Sequence, residues 1–340
     1  MWPVVGQDRA ITIFQRSLEK GTLAHAYLLV GLPHVGKMTL ALALAQAVNC
    51  EAAEPPCGQC DSCHRIAQGN HADVQVIGLG GNGSPTEARP QAEIGIAQIR
   101  EMQHSASLPP FGGRCRVYII NGAEQLSTEA ANCLLKTLEE PAAGVLFVLL
   151  TANDRLLPAT VVSRCLRLEL FPLATAETET ALGRYWGVEP DKARLLSRLC
   201  RGCLGWAVSA VVDDGLLRQR GERLERIQSI IVADNEERFR YAAELVTQFG
   251  QSRGQVWEVL DLWLSWWRDL LLVKAGCSDS VENLDMLDEL VARARGYSLA
   301  QIDDFIKSIR AAKEQLQLNA SPRLVMEVLM LSIPKGDVRL

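Results

Sequence analysis

Apolar residues in this chain fall into two kinds of pattern. Ala24–Val30, Val74–Ile77, Arg116–Ile120 and Val145–Leu150 are short, nearly unbroken apolar runs, the signature of strands buried on both faces. Between them, Leu40–Gln46, Ile94–Ser105 and Glu129–Leu138 repeat apolar residues at helical spacing, and Pro141 closes the last of these. Strands alternating with helices predict a parallel sheet with helices on both sides. Gly78–Pro90, rich in Gly, Asn and Pro, reads as a connector. After Pro172 the strand-like runs stop and helical periodicity takes over. The pattern therefore predicts an α/β domain over 1–172, a small helical domain over 173–212 and a larger all-α domain over 213–340.

The densest chemistry lies where the first strand meets the first helix. Gly31-Leu-Pro-His-Val-Gly36-Lys37-Met38-Thr39 is a phosphate-binding loop. Such a loop cradles phosphate oxygens with backbone N–H groups at a helix N-terminus, neutralises them with the lysine, and holds Mg²⁺ through the next Ser or Thr. Gly31, Gly36 and Lys37 keep the cradle and the cation, but Met38 replaces the hydroxyl. A thioether is a poor ligand for a hard cation, and Thr39 lies one residue, roughly 100° of helix, away. A second departure follows Ile119-Ile120, where a hydrolysing enzyme needs acidic residues to hold the metal and orient water. Asn121-Gly122 stand there instead, with Glu124 further on. Both losses predict a chain without hydrolysis of its own; whether nucleotide still binds is left open by the residues.

Cysteine supplies the next signal. Cys50, Cys57, Cys60 and Cys63 place four soft ligands on a compact segment beside Pro55-Pro56 and Gly58, which fits tetrahedral Zn²⁺ in a closed, structural site. His64 and His71 are substitute ligands in reach. Six further cysteines, Cys115, Cys133, Cys165, Cys200, Cys203 and Cys277, lie in apolar segments and are expected to pack as small hydrophobes. In the C-terminal part, Trp257, Trp263, Trp266 and Trp267 concentrate four of the seven tryptophans on one stretch, and positions 260, 263, 264, 267 and 271 share a helical face. Burial within the last domain is the first reading, and a subunit contact the second.

Composition narrows the class. With 340 residues, 48% hydrophobic and 22% charged, the chain can build more than one core, and its net charge of −5 argues against a protein that coats itself in nucleic acid unaided. Met1-Trp2-Pro3 opens on a helical pattern without an export signal, and no stretch approaches a membrane span, so a cytoplasmic location without membrane contact is expected.

Taken in order, these motifs resemble the bacterial clamp-loader subunits of DNA polymerase III. The likeness is carried by Val4-Val-Gly-Gln7, His25-Ala-Tyr27, the altered P-loop, the four-cysteine insertion, Ala131-Asn-Cys-Leu-Leu-Lys-Thr-Leu-Glu-Glu-Pro141, Leu157-Pro-Ala-Thr-Val-Val-Ser163-Arg164-Cys165 and Asn319–Glu327. It implies an AAA+ P-loop domain with a zinc module at about 50–63, a helical lid and a helical collar through which subunits associate. It also implies Val4, Val5, Gly6 and Gln7 on the adenine side of any bound nucleotide. Arg164 would be offered in trans, as an arginine finger, to the ATP site of a neighbouring subunit; the alternative is an arginine pairing with Glu139 or Glu140. Implied partners are gamma/tau and delta subunits and, through the assembly, the sliding clamp and primed DNA. Met38, Asn121-Gly122, and Gly205 where ATP-hydrolysing members resemble Gly-x-x-Arg, place the chain nearer the family's delta-prime type than its gamma/tau type, which remains the alternative.

Overall fold

The computed structural model describes residues 2–79 and 93–336. Most of the connector expected at 78–90 lies outside the described residues. The chain divides into two compact units: Met1–Ala181 with Arg201–Trp206, and Leu182–Cys200 with Ala207–Leu340.

Among the described residues, the first unit is built on five strands: β1 (Ala26–Val30), β2 (Val74–Ile77), β3 (Arg116–Asn121), β4 (Val145–Thr151) and β5 (Leu166–Glu169). They pair in parallel in the order β2-β3-β4-β1-β5. Every residue of the central β1 and β4 is buried, because a parallel sheet is covered on both faces. The pleat sorts their side chains. Tyr27, Leu29, Val148 and Leu150 pack with α1 (Asp8–Glu19) and α2 (Lys37–Asn49). Leu28, Val30, Phe147 and Leu149 pack on the other side with residues of α4 (Ile96–Ala106), α5 (Thr128–Glu139) and α6 (Ala159–Val162). A further short helix, α3 (Asp61–Ala67), follows α2.

The four runs read as strands in the sequence are strands. β5 adds an edge strand that the apolar pattern does not announce, since of its four residues only Leu168 is buried. α3 likewise replaces part of what reads as a cysteine loop, with Cys60 as its N-cap.

Helices α7 (Thr175–Trp186), α8 (Pro190–Leu199) and α9 (Leu204–Val212) come next. The second unit is completed by α10 (Asp214–Val232), α11 (Asn235–Gln251), α12 (Arg253–Lys274), α13 (Leu287–Ala294), α14 (Leu299–Gln317) and α15 (Pro322–Leu331). Its core centres on α12, where Trp263, Trp266 and Trp267 are fully buried. Trp267 meets Phe305 and Tyr297 edge-on at ring separations of 4.7 and 5.2 Å. Leu264 and Leu271, on the face the sequence selects, are only partly buried, while Trp266 beside it is fully covered. Burial around α12 is thus broader than a single stripe.

Candidate functional site

A cleft of about 730 Å³ opens where β1, β3 and β4 end, the edge at which open α/β sheets bind ligands. Gly36, Lys37, Met38 and Thr39 line it from the P-loop side, and Asn121, Gly122, Glu124, Thr151 and Ala152 from the strand ends. Gly36 is the N-cap of α2 at φ 105°, a left-handed conformation that glycine adopts without strain. At Gly31 a Cβ would sit 2.8 Å from the Leu170 carbonyl oxygen, so only glycine fits. Lys37 Nζ donates to the carbonyl oxygens of Gly31 at 2.5 Å and Leu32 at 2.7 Å. Burial lowers its pKa, and the nearby Glu124 and Cys203 act in the opposite direction.

Met38 is half-buried against the core and lines the cleft beside the exposed Thr39. Past β3, Gly122 has φ +79°, a conformation that a glutamate in its place would enter only with strain. Glu124, which stands past the strand end in sequence, reaches the cleft without rearrangement. Its Oε1 accepts the Ala152 N–H at 3.3 Å, while Oε2 is buried with no hydrogen-bond partner among the described residues. Gly205 closes the cleft next to the P-loop, its N–H donating to the His34 carbonyl oxygen at 2.9 Å. A Cβ at Gly205 would lie 2.8 Å from that same oxygen, so any side chain there would displace the loop.

The remaining residues named for nucleotide stand apart from this cleft's lining. Gln7 is buried and donates from Nε2 to the carbonyl oxygens of Phe171 (2.8 Å) and Val35 (3.4 Å). Gly6 lies against Leu173, whose Cδ2 would be 1.8 Å from a Cβ there. Val4 and Val5 are half-buried beside them.

Arg164 follows α6 on the surface. Its Nη2 lies 2.5 Å from Glu139 Oε1 and its Nη1 donates to the Thr160 carbonyl oxygen at 2.9 Å. The side chain keeps 33% of its surface exposed and Glu139 keeps 48%.

The Sγ atoms of Cys50, Cys57, Cys60 and Cys63 all lie within 4.8 Å of one another. The Cys57–Cys63 and Cys50–Cys60 separations are both 4.0 Å, against about 3.8 Å for ligands 2.3 Å from a shared tetrahedral centre. The set fits one metal ion. Backbone N–H groups of Gln59 and Cys60 donate to Cys57 Sγ at 3.4 and 3.3 Å and pull that thiol's pKa down to about 6, favouring the thiolate a metal requires. Burial pushes Cys63 up to about 12. Neither histidine belongs to the set. His64 is exposed, and His71 is engaged through Nε2 with Ser62 Oγ and through Nδ1 with the Asp73 N–H, both at 3.1 Å. Of the other cysteines only Cys200 is buried; Cys277 is exposed and the rest are half-buried.

A phosphate loop between β1 and α2, on a parallel sheet with β1 between β4 and β5, defines a P-loop domain of the AAA+ class. Family comparison gives the particular membership. The model described as "DNA polymerase III, delta subunit" matches residues 6–174, and that of its C-terminal region matches residues 219–334. The chain belongs to the DNA polymerase III clamp-loader subunits, related to delta' and tau/gamma. It is 29% identical to subunit delta' of Bacillus subtilis over 97% of both chains. It is 31% identical to subunit tau of Salmonella typhimurium over 99% of this chain, which spans about half of that protein (48%). Among solved structures, a gamma subunit-related protein from Thermotoga maritima aligns over 96% of this chain and 98% of its own at 18% identity, with a TM-score of 0.43. Among the described residues no helix is long and apolar enough to cross a membrane.

Proposed function

We propose that the chain is a delta-prime-type subunit of a bacterial DNA polymerase III clamp loader that does not hydrolyse ATP itself. It acts in the cytoplasm beside gamma/tau and delta subunits, holds the assembly's geometry through its α-helical C-terminal region, and offers Arg164 to a neighbour's ATP site while the sliding clamp is placed on primed DNA. The observation that carries the reading is the cleft itself. Gly36 and Lys37 keep the phosphate cradle, while Met38 and Asn121-Gly122 stand on its two sides where metal ligation and water activation are needed. Zn²⁺ is the ion proposed for Cys50, Cys57, Cys60 and Cys63, where four thiolates leave no open position and its contribution is structural.

The deciding experiment is ATP turnover by the reconstituted loader with clamp and primed DNA, comparing wild type with Arg164→Ala after equal assembly is verified. A large fall supports donation of the guanidinium in trans; unchanged turnover removes it. Glu124 favours a second reading, an active ATPase of the gamma/tau type, because its carboxylate reaches the cleft. Mg²⁺-dependent turnover by the purified chain, abolished by Lys37→Ala, would establish that reading over the first.

A further inference from the structure

Between α4 and β3 the chain runs Leu108-Pro-Pro-Phe111-Gly-Gly-Arg114-Cys115. Leu108 is 50% exposed and Phe111 86%, so burial of these two apolar side chains does not fix this loop. Its backbone is fixed instead. Asp73 Oδ1 accepts the N–H of Phe111 at 2.7 Å, and Oδ2 accepts those of Gly112 and Gly113 at 3.0 and 2.7 Å. Asn49 Oδ1 accepts the N–H of Arg114 and Cys115 at 2.9 and 3.0 Å. Both acceptors are buried, at 3% exposure each. Five consecutive amides are therefore held by two side chains. The approach is so close that a Cβ on Gly113 would lie 2.5 Å from Asn49 Oδ1 and 3.1 Å from Asp73 Oδ2.

Each of the two acceptors is tied to the cysteine cluster by a different route. Asn49 immediately precedes Cys50 at the end of α2. Asp73 donates its N–H to His71 Nδ1, which leaves the His71 proton on Nε2 to be donated to Ser62 Oγ, and Ser62 immediately precedes Cys63. Gln46 Nε2 also donates to the Cys63 carbonyl oxygen at 2.9 Å, binding the module back to α2. Fixing the four sulfurs on one ion fixes the backbone at Cys50 and Cys63, and with it both acceptors.

We infer that the metal-bound cysteine module is the anchor of the 108–115 loop: Asn49 and the Ser62–His71–Asp73 relay are positioning residues that set the conformation in which Leu108 and Phe111 are presented to solvent. The inference rests on the reading of the four cysteines as a metal site, which metal analysis of the same samples tests separately. Hydrogen exchange is measured by mass spectrometry on the full chain, in reductant, before and after zinc removal by a chelator, and on zinc-loaded His71→Leu and Asp73→Asn. After zinc removal the amides of 111–113 should exchange at least about tenfold faster, the factor expected for losing one charge-assisted hydrogen bond, and those of 114–115, held by a neutral amide oxygen, at least about threefold faster, while those of Val117–Ile120 in β3 keep their protection. In zinc-loaded His71→Leu the acceleration should be confined to 111–113, the amides that Asp73 holds, and sparing of 114–115 there would separate the two routes. Unchanged exchange at 111–115 after verified zinc loss overturns the inference. If zinc loss also exposes β3, His71→Leu with its metal retained decides: acceleration at 111–113 upholds the relay and no change overturns it. A chain that purifies without metal refutes the metal reading and the anchor together.

Discussion

The contact between Arg164 and Glu139 sets two accounts of Arg164 against each other, and their magnitudes differ enough to decide between them. Both side chains are substantially exposed, so the ion pair contributes about 0 to 1 kcal/mol to folding. The additional bond to the Thr160 carbonyl oxygen adds about 1 kcal/mol at most in that setting. Arg164→Ala should therefore lower the unfolding free energy by no more than about 2 kcal/mol, and Glu139→Gln by less than about 1 kcal/mol. A guanidinium supplied to a transferring phosphoryl group is worth about 10³ to 10⁵ in rate, or roughly 4 to 7 kcal/mol of barrier. The weak pair can yield its arginine to a neighbour without materially reducing the effect. The assay is urea unfolding of the isolated chain alongside ATP turnover of the assembled loader for wild type, Arg164→Ala and Glu139→Gln. Expected are a stability loss of no more than about 2 kcal/mol in either variant, a fall of at least about a hundredfold in turnover for Arg164→Ala, and turnover within about threefold of wild type for Glu139→Gln. A stability loss above about 3 kcal/mol in Arg164→Ala with unchanged turnover per assembled complex would refute the trans role and make the residue a structural one.

Asp73 gives a pH dependence with a fixed sign. Burial raises its pKa, but the N–H groups of Gly112, Phe111 and Gly113 and the Arg116 charge outweigh that and hold it below the usual carboxylate range. Its contribution is complete above the unfolded value of about 3.9 and disappears as pH falls through the lower folded value. Unfolding of the first unit should therefore show a steeper acid loss below about pH 4 in wild type than in Asp73→Asn, and parallel profiles would contradict this. In the second unit, the buried Arg238 donates to the carbonyl oxygens of Ile231 (2.7 Å), Ile230 (3.3 Å) and Ile333 (3.3 Å). Arg238→Met recovers the cost of burying a charge but takes the donor from the Ile231 and Ile333 carbonyl oxygens, while Ile230 keeps the Ala233 N–H at 3.2 Å, for a net loss of about 2 to 4 kcal/mol. Denaturation followed by the Trp263, Trp266 and Trp267 fluorescence should record it, and an unchanged midpoint would count against the assignment. For the cleft, nucleotide titration of the isolated chain should show any affinity falling at least about tenfold in Lys37→Ala; equal binding by both proteins would place the nucleotide elsewhere.

How far the sequence foretells this molecule depends on whether a feature is written as a pattern or as a contact. The buried strands β1 and β4 are continuous apolar runs because both of their faces are covered. β5 is invisible for the complementary reason. At the sheet edge its Arg167 pairs outward with Asp154 and Glu169, and only Leu168 turns inward. The four-cysteine cluster is legible because a metal site of that kind would demand four like side chains at short spacing. The polar part of its attachment to the rest of the domain is not, since Gln46, Asn49, Ser62, His71 and Asp73 are each ordinary in sequence and are each defined by an acceptor or donor brought to them by the fold. Glu124 belongs with them. Its distance past the β3 strand end argues against a place in the cleft until the turn at Gly122 is known, and that turn carries Glu124 to the Ala152 N–H. The same turn constrains what position 122 can hold. An acid placed there alone would be forced into a left-handed conformation suited to glycine, so on the proposed reading a hydrolytic site would need the turn remodelled along with Met38 and Asn121.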